Sequence, residues 1–73
     1  MKTGDTFYLA EKRSNIVYEG TLQDTDTCIA VILDRFSKWV HDNNVYLGIQ
    51  PRCFGVFSKL PKKYMKREIV KFG

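Results

Sequence analysis

Apolar and polar residues alternate in two early stretches of the chain, residues 6–11 and residues 16–22. In the first stretch Phe7 and Leu9 share one side, and the second alternates in the same way. This period of two is typical of strands with one exposed face. The polar residues between the two stretches predict a turn, and Gly20 inside the second predicts a bulge or sharp bend.

An unbroken apolar run follows at residues 28–33, after a turn of Asp and Thr residues at 23–27. The run is short and contains several β-branched residues. These features favour a central strand that is buried on both faces. The first half of the chain is therefore predicted to be a meander of three strands.

Residues 34–43 fit two structures. The helical alternative rests on apolar residues that recur every three or four positions, namely Leu33, Phe36, Trp39 and Val40. The other alternative is a short strand at 37–41. A helix would place Trp39 on the same side as Phe36, whereas a strand would place the two rings on opposite faces.

The second half of the chain contains further short apolar segments. Residues 45–49 and 67–72 are predicted to be strands, residues 53–57 form a short apolar run, and Pro61 opens a basic turn or a one-turn helix. About five short strands, one of them bent, predict a mainly β fold. SH3-like and OB-like barrels both fit, and we expect a small SH3-like barrel that closes on itself, with an optional short helix at 34–43. The length predicts a single domain spanning residues 1–73.

Several functional classes find little support in the sequence. There is no apolar run long enough to span a membrane and no signal-peptide pattern after Met1, so we expect a cytoplasmic protein. Cys28 and Cys53 are expected to be core or semi-buried thiols, because free cysteine is often buried. His41 is the sole histidine, and no nucleophile or metal-ligand pattern accompanies it. The prediction is no enzyme, no cofactor and no metal.

Charge is distributed unevenly. The whole chain has a net charge of +4, but residues 52–73 carry seven basic residues and only Glu68 as an acid. Aromatic residues are interleaved with these cations, a combination suited to phosphate neutralisation and base stacking. We therefore predict binding of nucleic acid, RNA before DNA. The candidate residues are Lys59, Lys62, Lys63, Tyr64, Lys66, Arg67, Lys71 and Trp39, and Phe57 is a further candidate stacking surface.

A protein partner is the alternative. A small chain with both acidic and basic regions suits electrostatic docking on another protein. In that case the chain would be a protein–protein interaction module or a small inhibitor, of the kind that phages and mobile elements encode, acting on a host protein.

Residues 18–34 resemble the first motif of Sm-like proteins. In that motif a Gly lies on the bent second strand, an apolar residue follows two positions later and an Asp six positions later. Gly20, Leu22 and Asp26 match this spacing. Residues 37–40, with the later Val45 and Pro51, are similar to the fourth- and fifth-strand region of Hfq-type members, so that the resemblance covers residues 6–51.

The resemblance implies a small barrel of an RNA-binding family. The positions of that family's RNA pocket are different in this chain. Ala30 stands where Sm proteins have the Asn that holds a base, and Cys28 stands where Hfq-type members have a stacking aromatic. Residues 41–43 correspond to the basic triplet of the fourth strand and place an acid at its centre. The resemblance therefore implies the family's fold without its known pocket.

Overall fold

A four-stranded mixed sheet and one helix form the fold of residues 2–72, which the computed structural model describes. The strands are β1 (Thr6–Ala10), β2 (Ile16–Thr21), β3 (Gly55–Phe57) and β4 (Glu68–Lys71), and the helix is α1 (Ile29–Asp42). Two single-turn 3₁₀ helices lie at Pro51–Cys53 and Lys62–Tyr64. The strand order is β3-β1-β2-β4, in which β1 pairs antiparallel with both neighbours and β4 pairs parallel with β2.

The first two strands confirm the alternating pattern, but Gly20 does not form the predicted bulge. Phe7 faces Gly20 in an uninterrupted antiparallel register. A Cβ atom at Gly20 would lie 2.6 Å from Cζ of Phe7 and 3.0 Å from Cε1 of Phe72. The position therefore requires glycine because two aromatic rings fill the space of a side chain.

The predicted strand at residues 28–33 is wrong, since this run forms the first turns of α1. The helix begins at Ile29, whose side chain is 55% exposed, and its fully buried residues are Ile32 and Phe36. Trp39 is half-buried on the same side as Phe36, with the two rings stacked at 6.2 Å. The helical alternative for 34–43 is thus confirmed and extends towards the N-terminus.

Residues 45–49 do not form the predicted strand. Alternate residues of this segment are half-buried, and Leu47 and Ile49 pack against the core. The segment nevertheless pairs with no strand in residues 2–72, and Gly48 has a positive φ of 68°. The segment therefore has the alternating burial of a strand without the hydrogen bonding of one.

The later elements agree better with the pattern. The apolar run at 53–57 contains β3, the predicted strand at 67–72 contains β4, and the segment after Pro61 is a one-turn 3₁₀ helix.

The sheet is open, in contrast to the predicted closed barrel of five strands. β3 and β4 are its two edges and do not pair with each other. The third strand that the Sm-like resemblance implies is part of α1, so it cannot contribute to closure. The fold is consequently mixed α/β instead of mainly β.

The main hydrophobic core lies between α1 and one face of the sheet. Phe36 is fully buried there, with ring centroids 4.8 Å from Tyr18, 5.0 Å from Phe72 and 5.4 Å from Phe54. Trp39 packs against the same core. The opposite face of the sheet, here called the outer face, carries a smaller buried cluster of Ala10, Val17, Leu60 and Tyr64.

A buried ion pair joins α1 to the loop that precedes it. Arg35 donates a hydrogen bond from Nη1 to the carboxylate of Asp26, whose side chain is 1% exposed. The same carboxylate accepts the backbone N–H of Gln23 at 2.9 Å. The Arg35 guanidinium also lies 5.8 Å from the ring centroid of Phe7 and 5.5 Å from that of Phe72. The ion pair thus lies beside these two rings at one end of the main core.

Both cysteines differ from the expectation. Cys28 immediately precedes α1 and Cys53 ends the first 3₁₀ turn, and both thiols are free and exposed. Neither position lies on a buried face of an element, which is why the residue type alone misled the prediction.

Within residues 2–72 no helix has the length and apolar character required to cross a membrane.

Candidate nucleic-acid interface

The segment between β3 and β4, residues 58–67, is here called the basic loop. Leu60 and Tyr64 are buried against Ala10 and Val17, and this contact holds the basic loop on the outer face of the sheet. Apolar residues four positions apart thus anchor a segment whose intervening residues are cationic. The two anchors therefore determine that the lysines between and beside them lie on the outer face of the sheet.

Arg67 fastens the end of the basic loop to the turn between β1 and β2. Its guanidinium donates to the backbone carbonyls of Glu11 and Lys12, the latter at 2.8 Å. It also lies 4.3 Å from the ring centroid of Tyr64, and Nζ of Lys63 lies 5.1 Å from the same ring. These contacts give Arg67 and Tyr64 a structural part in positioning the loop, and their predicted contacts with nucleic acid stay predictions.

Five lysines on this side of the molecule are exposed. None of them forms an ion pair with a carboxylate in the part of the chain that the structure describes. They are Lys59, Lys62, Lys63, Lys66 and Lys71. Because no carboxylate of residues 2–72 neutralises them, their charge is available to an external anion.

A row of four side chains crosses the outer face, one on each strand. The registers pair Phe57 with Tyr8, Tyr8 with Glu19, and Glu19 with Lys71. Paired residues of adjacent strands point to the same face, and strands are about 4.8 Å apart, so the row extends over roughly 14 Å. Phe57, Tyr8 and Glu19 are half-buried, and Lys71 is exposed. We call these four residues the outer row.

Trp39 is separated from the other predicted site residues. It packs in the core between α1 and the sheet, whereas the basic loop and the outer row lie on the opposite face. The structure therefore brings together the lysines of the basic loop, Tyr64, Arg67 and Lys71, and does not bring Trp39 to them.

Tyr8 and Glu19 were missed by the sequence analysis. Since Phe7 and Leu9 face the core, the alternation of β1 already places Tyr8 on the outer face. Its position beside Phe57 could not be anticipated, because the pairing of β1 with β3 joins segments distant in sequence.

Glu11 occupies the turn that Arg67 contacts, and its carboxyl group experiences two opposing influences. Burial raises its pKa. Hydrogen bonds from the Arg13 backbone N–H at 2.7 Å and from Arg13 Nε at 3.4 Å lower the pKa, as do the Ser14 backbone N–H and the positive charge of Arg13. Together the hydrogen bonds and the charge outweigh burial, and the pKa of Glu11 lies below its usual value.

This lowered pKa predicts an acid-sensitive contribution to stability. A carboxyl group with a depressed folded-state pKa stabilises the fold above its unfolded pKa, about 4.3 for glutamate, and loses this effect as the pH falls through the folded value. Glu11→Gln should therefore unfold at lower urea concentration than the parent at about pH 7, and the difference should shrink at about pH 3. Asp34→Asn, at an exposed helix position, is the control. A difference that is constant with pH would contradict the assignment.

The chain was also compared with known proteins. No protein-family model matches it, and comparisons with curated proteins and with solved structures find no similar protein.

Proposed function

We propose that this protein binds nucleic acid, RNA before DNA, through the basic loop. The observation that carries the proposal is the set of five exposed lysines that have no carboxylate partner in residues 2–72. Leu60 and Tyr64 hold four of them on one face of the sheet, and Lys71 emerges from the neighbouring strand on the same face. A local concentration of uncompensated positive charge of this kind attracts a phosphate backbone.

Counterion release sets the expected behaviour. Each phosphate that a lysine neutralises on a single strand contributes a slope of about −0.7 to the dependence of log affinity on log salt. If all five lysines of the set contact phosphates, the slope is about −3.5. A fourfold rise in salt should then weaken binding about a hundredfold.

The test removes the same number of charges from two regions. One variant replaces Lys59, Lys62 and Lys66 with glutamine, and the control replaces the exposed residues Lys2, Lys38 and Arg52 with glutamine. Fluorescence anisotropy of a labelled single-stranded RNA, measured over a salt series, gives affinity and slope. The basic-loop variant should reduce the magnitude of the slope by about 2, because three phosphate contacts are lost. The control should leave the slope near the parent value.

Two results would contradict the proposal. The first is that the parent protein fails to bind RNA at low salt. The second is that both triple variants reduce the slope equally, which would mean that net charge alone attracts RNA and that the basic loop is not the site.

A protein partner is the second candidate, and one observation favours it. The side chain of Tyr46 is 94% exposed after the end of α1, and tyrosine is enriched in protein–protein interfaces. Such a side chain would suit an interaction module or small inhibitor that docks on a host protein, of the kind that phages and mobile elements encode. A stoichiometric complex that Tyr46→Ala weakens, in a protein that binds no RNA, would support this candidate.

A further inference from the structure

The outer row combines two aromatic rings, a carboxylate and an ammonium group on four adjacent strands. From this arrangement we infer that the outer row binds the unpaired bases of a single strand, with Tyr8 and Phe57 as stacking surfaces and Glu19 as an acceptor for base amino groups. The inference rests on the proposed function, because the basic loop would supply the phosphate contacts. It adds the class of nucleic acid and the chemistry that distinguishes one base from another.

The two rings are placed where bases can reach them. Tyr8 and Phe57 occupy directly opposed positions on β1 and β3, and neither is covered by α1, which packs on the other face. Each ring has one part packed against the cluster of Leu60 and Tyr64 and another part open to solvent. An aromatic side chain held in this way is already ordered, so stacking a base on it costs little side-chain entropy.

Glu19 gives the row a specific chemical preference. It lies between Tyr8 and Lys71 in the row, is half-buried, and has no ion-pair partner in residues 2–72. A carboxylate repels phosphate, so this position suits a base and not the backbone. As an acceptor it matches exocyclic amino groups, which adenine, cytosine and guanine carry and uracil lacks.

Cations lie at both ends of the row. Phe57 is the last residue before the basic loop, and Lys71 occupies the opposite edge strand. A single-stranded nucleic acid that crosses the row could therefore place phosphates next to lysines at either end while its bases stack on the rings. The row is roughly 14 Å long, which suits two or three bases on a four-stranded sheet.

The geometry excludes a duplex from the same contacts. In a double helix the base faces are stacked on one another, so the rings of Tyr8 and Phe57 could reach sugars, phosphates and base edges but could not stack on the faces of the bases. We therefore expect duplex RNA to bind through the lysines alone, more weakly than a single strand with accessible bases.

The experiment compares ligands and variants by fluorescence anisotropy. The ligands are oligoadenylate, oligouridylate, a duplex and an abasic phosphodiester strand, all of about eight nucleotides per strand. The variants are Tyr8→Leu and Phe57→Leu, which keep an apolar side chain in the row, and Glu19→Gln. Tyr46→Leu is the control, because Tyr46 is more exposed than either ring and lies outside the row. Circular dichroism before each titration confirms that the variants are folded.

The expected results separate stacking from charge. Oligoadenylate should bind the parent protein more tightly than the abasic strand or the duplex, and more tightly than oligouridylate. Tyr8→Leu and Phe57→Leu should each weaken oligoadenylate binding by about fivefold to a hundredfold, leave the salt slope unchanged and hardly affect the abasic strand. Glu19→Gln should reduce the preference for oligoadenylate over oligouridylate. Tyr46→Leu should change none of these quantities.

The results that overturn the inference differ from those that overturn the proposed function. Equal binding of the parent protein to oligoadenylate and the abasic strand, with a steep salt slope, would remove the base site and leave phosphate binding intact. This comparison needs no variant, so it decides the matter even if a leucine variant does not fold. Absence of binding to every ligand at low salt would overturn both, and a Tyr46→Leu effect as large as that of Phe57→Leu would also overturn the inference.

Discussion

Replacing Arg35 with methionine should lower the free energy of unfolding by about 3–5 kcal/mol. The substitution keeps an apolar stem of similar length against the rings of Phe7 and Phe72 but removes the guanidinium. The carboxylate of Asp26, with 1% of its side chain exposed, is then left with the Gln23 N–H as its hydrogen-bond donor in the described structure. A buried charge without its counter-charge is among the most destabilising single changes in a protein.

Removing the acid should cost less than removing the base. In Asp26→Ala the guanidinium of Arg35 keeps its hydrogen bond to the Thr21 carbonyl at 3.2 Å, and 21% of its side chain is already exposed. Nη2 of Arg35 is buried without a hydrogen-bond partner in residues 2–72, and the space that the alanine leaves would let water reach the guanidinium. We expect a loss of about 1–3 kcal/mol, most of it from the lost hydrogen bonds.

The double variant Asp26→Ala, Arg35→Met isolates the interaction between the two side chains. Because it leaves neither charge unpaired, its loss of stability should be smaller than the sum of the two single losses, with a coupling of at least about 1 kcal/mol. Urea unfolding of the four proteins, followed by Trp39 emission, provides the measurement. Additive losses would show that the pair contributes little and that packing around Arg35 explains its effect.

Phe36→Ala should destabilise the protein by about 3–5 kcal/mol, enough to unfold much of a marginally stable small domain. Phe36 is fully buried at the centre of the main core, and its ring contacts those of Tyr18, Phe54 and Phe72. Removing it opens a cavity among rigid aromatic rings, which cannot easily collapse into the space. The same change should shift Trp39 emission to longer wavelength, because Phe36 stacks on Trp39 at 6.2 Å.

Phe36→Leu is the matched control for this prediction. It retains most of the apolar volume, so its loss should be clearly smaller, and the protein should remain folded with an emission spectrum close to that of the parent. Thermal unfolding measured by circular dichroism separates the two variants. Equal losses for alanine and leucine would indicate that ring contacts, and not cavity volume, determine the stability of this core.

The strands that sequence predicted correctly are those with a clear alternation and one exposed face. β1, β2 and β4 meet this condition, and their exposed positions are polar or charged except for Ile69 of β4, which is 46% exposed. The run at 28–33 lacks such information because almost every residue in it is apolar. The run is helical because Ile32 continues the buried stripe of Phe36 and Trp39. Ile29 is apolar but exposed, so the sequence does not show which residues of the run face the core.

Tertiary contacts explain the remaining errors. Segment 45–49 has the burial alternation of a strand, but Leu47 and Ile49 use it to cover the core and not to join a sheet. The parallel pairing of β4 with β2 has no local signature. Gly20 was expected to form a bulge or a sharp bend. No bulge interrupts the register, and the requirement for glycine comes from the rings of Phe7 and Phe72, one of them about fifty residues away.

The candidate site was predictable in its charge but not in its arrangement. The sequence predicts that the five lysines are exposed, because lysine side chains are charged and because apolar anchors lie between the lysines of the basic loop. Arg67 could not be recognised as a clamp, since the carbonyls that it binds belong to Glu11 and Lys12, more than fifty residues earlier. The outer row likewise depends on three strand registers. The β1–β2 hairpin is local, but the pairings of β1 with β3 and of β2 with β4 join segments that the sequence keeps apart.

The parallel pairing of β2 with β4 also has a kinetic consequence. Their paired residues, such as Ile16 and Glu68, are about fifty positions apart, so a large loop must close before this contact forms. The β1–β2 hairpin is local and can form long before, leaving the other side of β2 with free backbone donors and acceptors. During refolding that edge is open to a second molecule as well as to β4, and intermolecular capture grows with concentration while docking of β4 does not. We therefore expect the yield of folded protein to be higher when refolding takes place at lower protein concentration.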